Sequence, residues 1–223
     1  LAQPDPEKVK FLTAFFDEIL GDRGILSKLE RALLETEILL FYEKPGEKTL
    51  TRFREHLETN EAVELRRLAK LLALWCRPRP YGLLFDGKTN VDLTSAHIHL
   101  EIKGCQRYPD LLRVAMLTAM EVGRRKVREN YPRKTYKVID ECQTVIRSPG
   151  DGLPNAAARY CEDEFRQARK FGSAVLGISQ TAKDFITTEI GEGIIANAPN
   201  RFILNQAGDE KTLREALKLN AQE

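Results

Sequence analysis

Apolar residues recur at helical spacing through the first third of the chain. Phe11, Leu12, Phe15, Phe16, Ile19 and Leu20 form one stripe behind Pro4 and Pro6, and Gly21-Asp22-Arg23-Gly24 stops it. Ser27 to Glu30 has the capping-box spacing, which predicts a second helix carrying Leu29, Leu33, Ile38 and Leu39 on its apolar face and broken at Pro45-Gly46. A shorter helix is predicted from Thr49 to Leu57. Asn60 reads as the N-cap of a third long helix that turns Val63, Leu65, Leu68, Leu71, Leu72 and Trp75 inward. Arg77-Pro78-Arg79-Pro80 ends it, because neither proline can continue a helix. Residues 1–77 are therefore predicted to be almost entirely helical, a bundle or lid rather than a sheet.

The pattern changes after Pro80. His97 to Ile102 alternates as a strand, and Pro109 to Arg128 is a long helix through Leu112, Val114, Met116, Leu117 and Met120. Tyr136 to Asp140 is a second strand, followed by a helix from Pro154 to Phe171 closed by Gly172 at the C′ position. Ser173 to Ile178 is a third strand, helical turns fill Thr181 to Ala196, Arg201 to Leu204 is a fourth strand, and Asp209 to Leu219 is a final helix. Strand and helix alternate four times, which predicts right-handed βαβ crossovers and a mostly parallel sheet covered on both faces.

Composition narrows the function classes. Hydrophobic residues make up 42% and charged residues 30%, as in ordinary globular proteins, and the net charge of +2 supplies no global field for nucleic acid or anionic lipid. The cysteines, Cys76, Cys105, Cys142 and Cys161, form no C-x-x-C pair, which points to reduced thiols in a cytosolic compartment and away from a zinc site. No apolar run approaches the ~18 residues that span a bilayer. With Leu1 in place of an initiating methionine, the chain reads as a segment of a longer protein.

The Tyr136–Asp140 strand delivers Asp140 and Glu141 at its carboxyl end. In a nucleoside triphosphatase such a pair divides the work: the Asp holds the shell of a Mg²⁺ ion between phosphates and the Glu orients the attacking water. Gly82 to Thr89 matches G-x-x-x-x-G-K-[ST] letter for letter, yet a phosphate-cradling loop needs a strand entering and a helix leaving. Here a Pro-Arg-Pro loop enters and an extended run leaves. Bulky Leu83, Leu84 and Phe85 also fill the places where backbone must wrap phosphate, so a β-turn at Asp86-Gly87 between two extended pieces is expected.

Downstream, Arg166, Arg169 and Lys170 share a helix face at i, i+3 and i+4. They suit the helix dipole, and they also suit a set acting in trans on a neighbouring subunit's phosphoryl group. Ser179-Gln180 follows the third strand, where Gln180 could touch a γ-phosphate or its attacking water and Ser179 could cap the next helical turn. Asn197 and Gln206 bracket the fourth strand and could report in the same way. His97 and His99 share a strand face without a third ligand in view, and read as a solvated pair. Arg124-Arg125-Lys126 with Arg128 could meet DNA or acidic lipid, although Glu121 and Glu129 dilute it.

The order of these pieces resembles the C-terminal ATPase domain of the TraC-like ATPases of conjugation and type IV secretion, within the RecA-like motors that include HerA and FtsK. The resemblance rests on the Leu84-Phe85-Asp86-Gly87 turn leading to Lys103-Gly104, on Val138-Ile139-Asp140-Glu141, and on Arg166 through Gly172. It rests also on the spacing from Gly172 to Ser179-Gln180 and from Asn197 to Gln206. It implies a RecA-like α/β P-loop NTPase core over residues 80–223 with a helical insertion subdomain at 1–79. It implies ATP and Mg²⁺ as cofactors, Asp140 in the Mg²⁺ shell and Glu141 on water. Arg166, Arg169 and Lys170 would be the finger in trans within a homo-hexamer, with Gln180 and its neighbours sensing nucleotide. It further implies partners among inner-membrane secretion components and a cytoplasmic location at that membrane. The phosphate loop is then expected upstream of Leu1, leaving this stretch inactive alone. Lys137 interrupts the usual apolar run and Ser179 replaces the more frequent threonine. Alternatives from the residues are a DNA-pumping motor and a nucleotide-independent docking module.

Overall fold

The computed structural model describes residues 4–20, 26–88, 93–105, 107–147, 156–204 and 214. The chain forms two compact units, Leu1–Ala115 and Met116–Glu223.

The first unit is helical. Helix α1 (Pro6–Leu20) buries Phe11, Phe15, Phe16 and Leu20, one face at three- and four-residue spacing. Helix α2 (Lys28–Glu43) starts on the expected capping box: the Ser27 hydroxyl accepts the Glu30 N–H at 3.2 Å while the Glu30 carboxylate accepts the Ser27 N–H at 3.0 Å. Its buried stripe is Leu34, Ile38 and Phe41, whereas Leu29 and Leu39 are exposed. The face that packs is the one bearing the aromatic ring, with Phe41 against Phe53 at 5.1 Å between ring centres.

Helices α3 (Leu50–Glu58) and α4 (Val63–Leu72) follow, with a 3₁₀ turn at Ala73–Trp75. Leu65, Leu68, Leu72 and Trp75 are buried as predicted, but Val63 and Leu71 face solvent. Asn60 is not the N-cap of α4: that position is Ala62, whose N–H donates to the Asn60 side chain at 3.0 Å, so Asn60 closes a tight turn before the helix. Pro80 opens a short helix, α5 (Pro80–Phe85), where an extended piece was expected. Proline at the first helical position loses no hydrogen bond and presets φ, and that local preference prevails.

His97–Ile102 is not a strand. The segment is open to solvent and among the described residues no neighbouring backbone pairs with it, which a strand requires. Helix α6 (Pro109–Asn130) matches the periodicity.

The second unit holds a parallel two-stranded sheet, β1 (Thr135–Ile139) and β2 (Ser173–Gly177), in register Thr135↔Ser173 through Ile139↔Gly177. Between them run α7 (Gln143–Ile146) and α8 (Ala156–Gln167), the latter continuing as a 3₁₀ turn at Ala168–Phe171. Gly172 ends that turn at φ 62°, a left-handed conformation that glycine enters without steric cost. After β2 come α9 (Lys183–Ile186) and α10 (Glu189–Asn197). Leu117, Val145, Ile146, Ala157, Cys161, Ile190 and Ile194 make the buried core. Arg201–Leu204 is the second correction among the predicted strands: Phe202 and Leu204 are exposed, and the segment pairs with no other described strand. The predicted final helix falls outside the described residues apart from position 214.

Candidate active site at the carboxyl ends of two parallel strands

Because β1 and β2 run parallel in register, both chains leave the sheet at the same edge. The pairing extends one step further: Ile178 N–H donates to Ile139 C=O at 2.9 Å and Cys142 N–H to Ile178 C=O at 2.8 Å. Asp140-Glu141 and Ser179-Gln180 are thereby side by side, at the kind of rim where open α/β sheets bind ligands.

Glu141 makes the turn. Its φ is +51°, the single positive value among the described non-glycine residues. Its carbonyl accepts the Thr144 N–H at 2.9 Å and the Thr144 hydroxyl at 2.8 Å, so the turn is held from the far side. Its N–H donates to Asp140 Oδ1 at 2.9 Å. The Glu141 carboxylate then receives two side-chain amides. Gln180 Nε2 lies 2.9 Å from Oε1 and 3.1 Å from Oε2, and Gln143 Nε2 donates to Oε2. The sequence reading had assigned Glu141 and Gln180 separately, and here they touch.

Gln143 was not singled out from sequence. It is buried in the first turn of α7, and a buried amide two residues after a turning carboxylate is the only signal it gives. Asp184 and Arg147 were missed too. Asp184, 2% exposed, accepts the Ser179 hydroxyl and, at 3.3 Å, the Thr181 N–H, and it pairs with the Arg147 guanidinium. Burial alone would raise its carboxyl pKa; the Ser179 hydroxyl, Arg147 and Thr181 outweigh burial and hold it below the usual value. Thr181-x-x-Asp184 has the [ST]-x-x-[DE] spacing, which was the available clue. Ser179 is accordingly a donor to Asp184 and not the helix cap it was read as; the residue before α9 is Ala182, which makes no side-chain cap.

The remaining candidates sit as follows. Asn197 ends α10 and donates to Gly193 C=O at 2.8 Å on its own helix, while Gln206 lies outside the described residues. Arg166 pairs with Glu162 at 2.5 Å. Arg169 and Lys170 are exposed in the 3₁₀ turn, so the α-helical register that would align them with Arg166 ends at Gln167. Lys137 is turned to the inner face of β1 against Glu164. Burial pushes its ammonium down to about 7, the Arg124 guanidinium adds repulsion, and Glu121 pulls the other way. Its place in the strand is thus filled by an ion-paired cluster rather than by an apolar side chain. Arg124 is buried between Glu164 and the Tyr160 ring, Arg125 and Lys126 pair with Glu129, and Arg128 lies over Phe171. The basic run is largely committed to the protein itself.

Among the described residues, Gly82–Lys88 has none of the architecture of a phosphate loop. Helix α5 enters it, a Cβ at Gly82 would stand 2.2 Å from the Cys76 backbone, and Lys88 pairs with Glu47 at 2.8 Å on the surface. Asp86 is buried and accepts the Thr51 N–H at 3.1 Å, the Arg77 N–H at 3.0 Å and the Thr51 hydroxyl.

Among the described residues no group of three or more His, Cys, Asp or Glu could cage a metal, and His97 and His99 are exposed. Mg²⁺ needs no such cage, since it is commonly held by one or two carboxylates together with phosphate and water. Asp140 fits that role: its side chain is exposed at the rim, and only Oδ1 is engaged by the Glu141 N–H.

Comparison with known proteins adds two findings. A family model described as the TraG P-loop domain matches residues 31–221. The structure of VirB4 of Thermoanaerobacter pseudethanolicus superposes with a TM-score of 0.78 at 20% identity, covering 100% of this chain and 63% of that one. That likeness shows the fold, RecA-like α/β. The chain therefore spans somewhat less than two thirds of the VirB4 chain. No curated protein matches by sequence.

Proposed function

This chain belongs to the TraG P-loop domain family, and from that premise we propose that it forms part of an ATPase serving conjugative transfer or type IV secretion, driving pilus assembly or substrate translocation. The observation that carries the reading is the contact of the Gln180 amide with the Glu141 carboxylate at the shared end of two parallel strands. A general base and a γ-phosphate sensor must be within reach of one another, and two neutral amides keep the Glu141 carboxylate oriented without neutralising it.

In this reading Mg²⁺-ATP supplies the phosphoryl group and a positive charge to polarise it. Asp140 would sit in the Mg²⁺ shell and hold the ion through water. Glu141 orients the attacking water and takes its proton. Gln180 carries the state of the γ-phosphate into the loop leading to α9. Arg166, Arg169 and Lys170 act on a neighbouring subunit in a ring, taken as a homo-hexamer, after Arg166 leaves Glu162.

Residues 1–79 form the helical insertion of the 80–223 core. Gly82–Lys88 is entered by helix α5 where such a loop needs a strand, so in this reading another stretch cradles the phosphates and the segment alone would not turn over ATP. The protein works peripherally at the cytoplasmic face of the inner membrane with other secretion components. Among the described residues no helix is long and apolar enough to cross a membrane. The alternative of a DNA-pumping motor draws no support from Arg124, which is buried in an ion pair.

Glu141→Gln in the full-length protein should lower turnover by about 10²- to 10⁴-fold while ATP binding persists. Unchanged turnover would overturn the reading.

A further inference from the structure

Gln180 is exposed, and a glutamine on a surface loop has several rotamers and a mobile backbone to choose from. Here its two neighbours are tied down by one buried carboxylate. Asp184 takes the Ser179 hydroxyl and the Thr181 N–H, the residues on either side of Gln180. The other oxygen of Asp184 engages Arg147. Arg147 closes α7, the helix that begins two residues after Glu141. Asp184 therefore fastens the segment leaving β2 to the segment leaving β1, beyond the last backbone hydrogen bond between them.

We propose that Asp184 is a positioning residue which sets the distance between Gln180 and Glu141, so that the nucleotide sensor and the base act as one unit. This rests on the ATPase reading of Glu141 and Gln180. The carboxylate acts through the Ser179 hydroxyl and the Thr181 N–H on one side and through Arg147 on the other. The competing role, a purely structural anchor for α9, predicts loss of stability without a specific link to Gln180.

The two are separated by a double-mutant cycle in the full-length protein, measuring ATP turnover together with binding of a fluorescent ATP analogue. Asp184→Ala should lower kcat by about 10- to 100-fold with KM for ATP changed by less than about threefold, the pattern of a misplaced catalytic group. Asp184→Asn keeps an acceptor for Ser179 and Thr181 and should recover part of the loss. The decisive result is the combination with Gln180→Ala: the double variant should be no slower than Gln180→Ala alone. Multiplying losses would make Asp184 a structural anchor and overturn the proposal, as would an unaltered kcat in folded Asp184→Ala. If Asp184→Ala fails to fold, Asp184→Asn and Arg147→Gln carry the same cycle. Should Gln180→Ala leave kcat intact, the proposal falls with the role of Gln180. An intact rate in Glu141→Gln would instead strike the parent reading.

Discussion

Each of the two compact units closes a loop on a buried aspartate. In the helical unit Asp86 gathers Thr51, at the start of α3, and the Arg77 N–H ahead of α5. In the α/β unit Asp184 gathers Ser179, Thr181 and Arg147. Both carboxylates are lowered in pKa by hydrogen bonds that outweigh burial. What differs is the side chain each knot displays. The loop closed by Asp86 displays Lys88, which rests on Glu47 at the surface. The loop closed by Asp184 displays Gln180, which rests on Glu141 at the end of a parallel strand. Local chemistry alone therefore does not mark a site; position on the sheet does.

The comparison breaks first at Asp86. Removing its carboxylate leaves the Thr51 N–H, the Thr51 hydroxyl and the Arg77 N–H without their acceptor, so Asp86→Ala should cost about 3 kcal/mol in a denaturant titration. ATP affinity should not follow. A specific fall in kcat at unchanged stability would put Asp86 in the same class as Asp184.

A smaller effect is set by pH. For both aspartates the folded pKa lies below the unfolded one, so each contributes stability that is complete above about pH 4 and lost as pH falls through the folded value. Asp86→Asn and Asp184→Asn should each flatten the acid limb of a stability-against-pH curve. A limb as steep as in the parent protein would show that neither pair is formed in solution. The smallest effect is expected at Lys88. As a surface residue paired with Glu47, its replacement by alanine should leave ATP binding unaltered. Loss of nucleotide binding in Lys88→Ala would restore Gly82–Thr89 as a phosphate loop.

Legibility followed the range of the interaction. Helices with caps and a single apolar stripe, such as the Ser27 capping box and the long α6, were readable because their determinants lie within one or two turns. Asp140, Glu141 and Gln180 could be picked out as chemistry, but their contact is a product of strand register, which no local pattern encodes. The predicted strand at His97 alternates in letters and the one at Arg201 is a short apolar run; strandedness requires a partner backbone, and neither pattern can supply one. Lys137 looked like a fault in the strand because the ion pair that accommodates it comes from Glu164 on α8, far along the chain. Asp184 announced itself only through its spacing from Thr181.

The left-handed backbone of Glu141 has a consequence for what could ever replace it. At φ +51° a glycine would be comfortable and an asparagine tolerable, whereas a β-branched side chain would strain the turn. A glutamate there sits against its own conformational preference by about 1 kcal/mol or more. The turn is thus stocked with a residue that folding would not select. What the position holds out over the sheet's rim is a carboxylate, the group the proposed hydrolysis calls for, presented from a backbone conformation that a glutamate does not prefer.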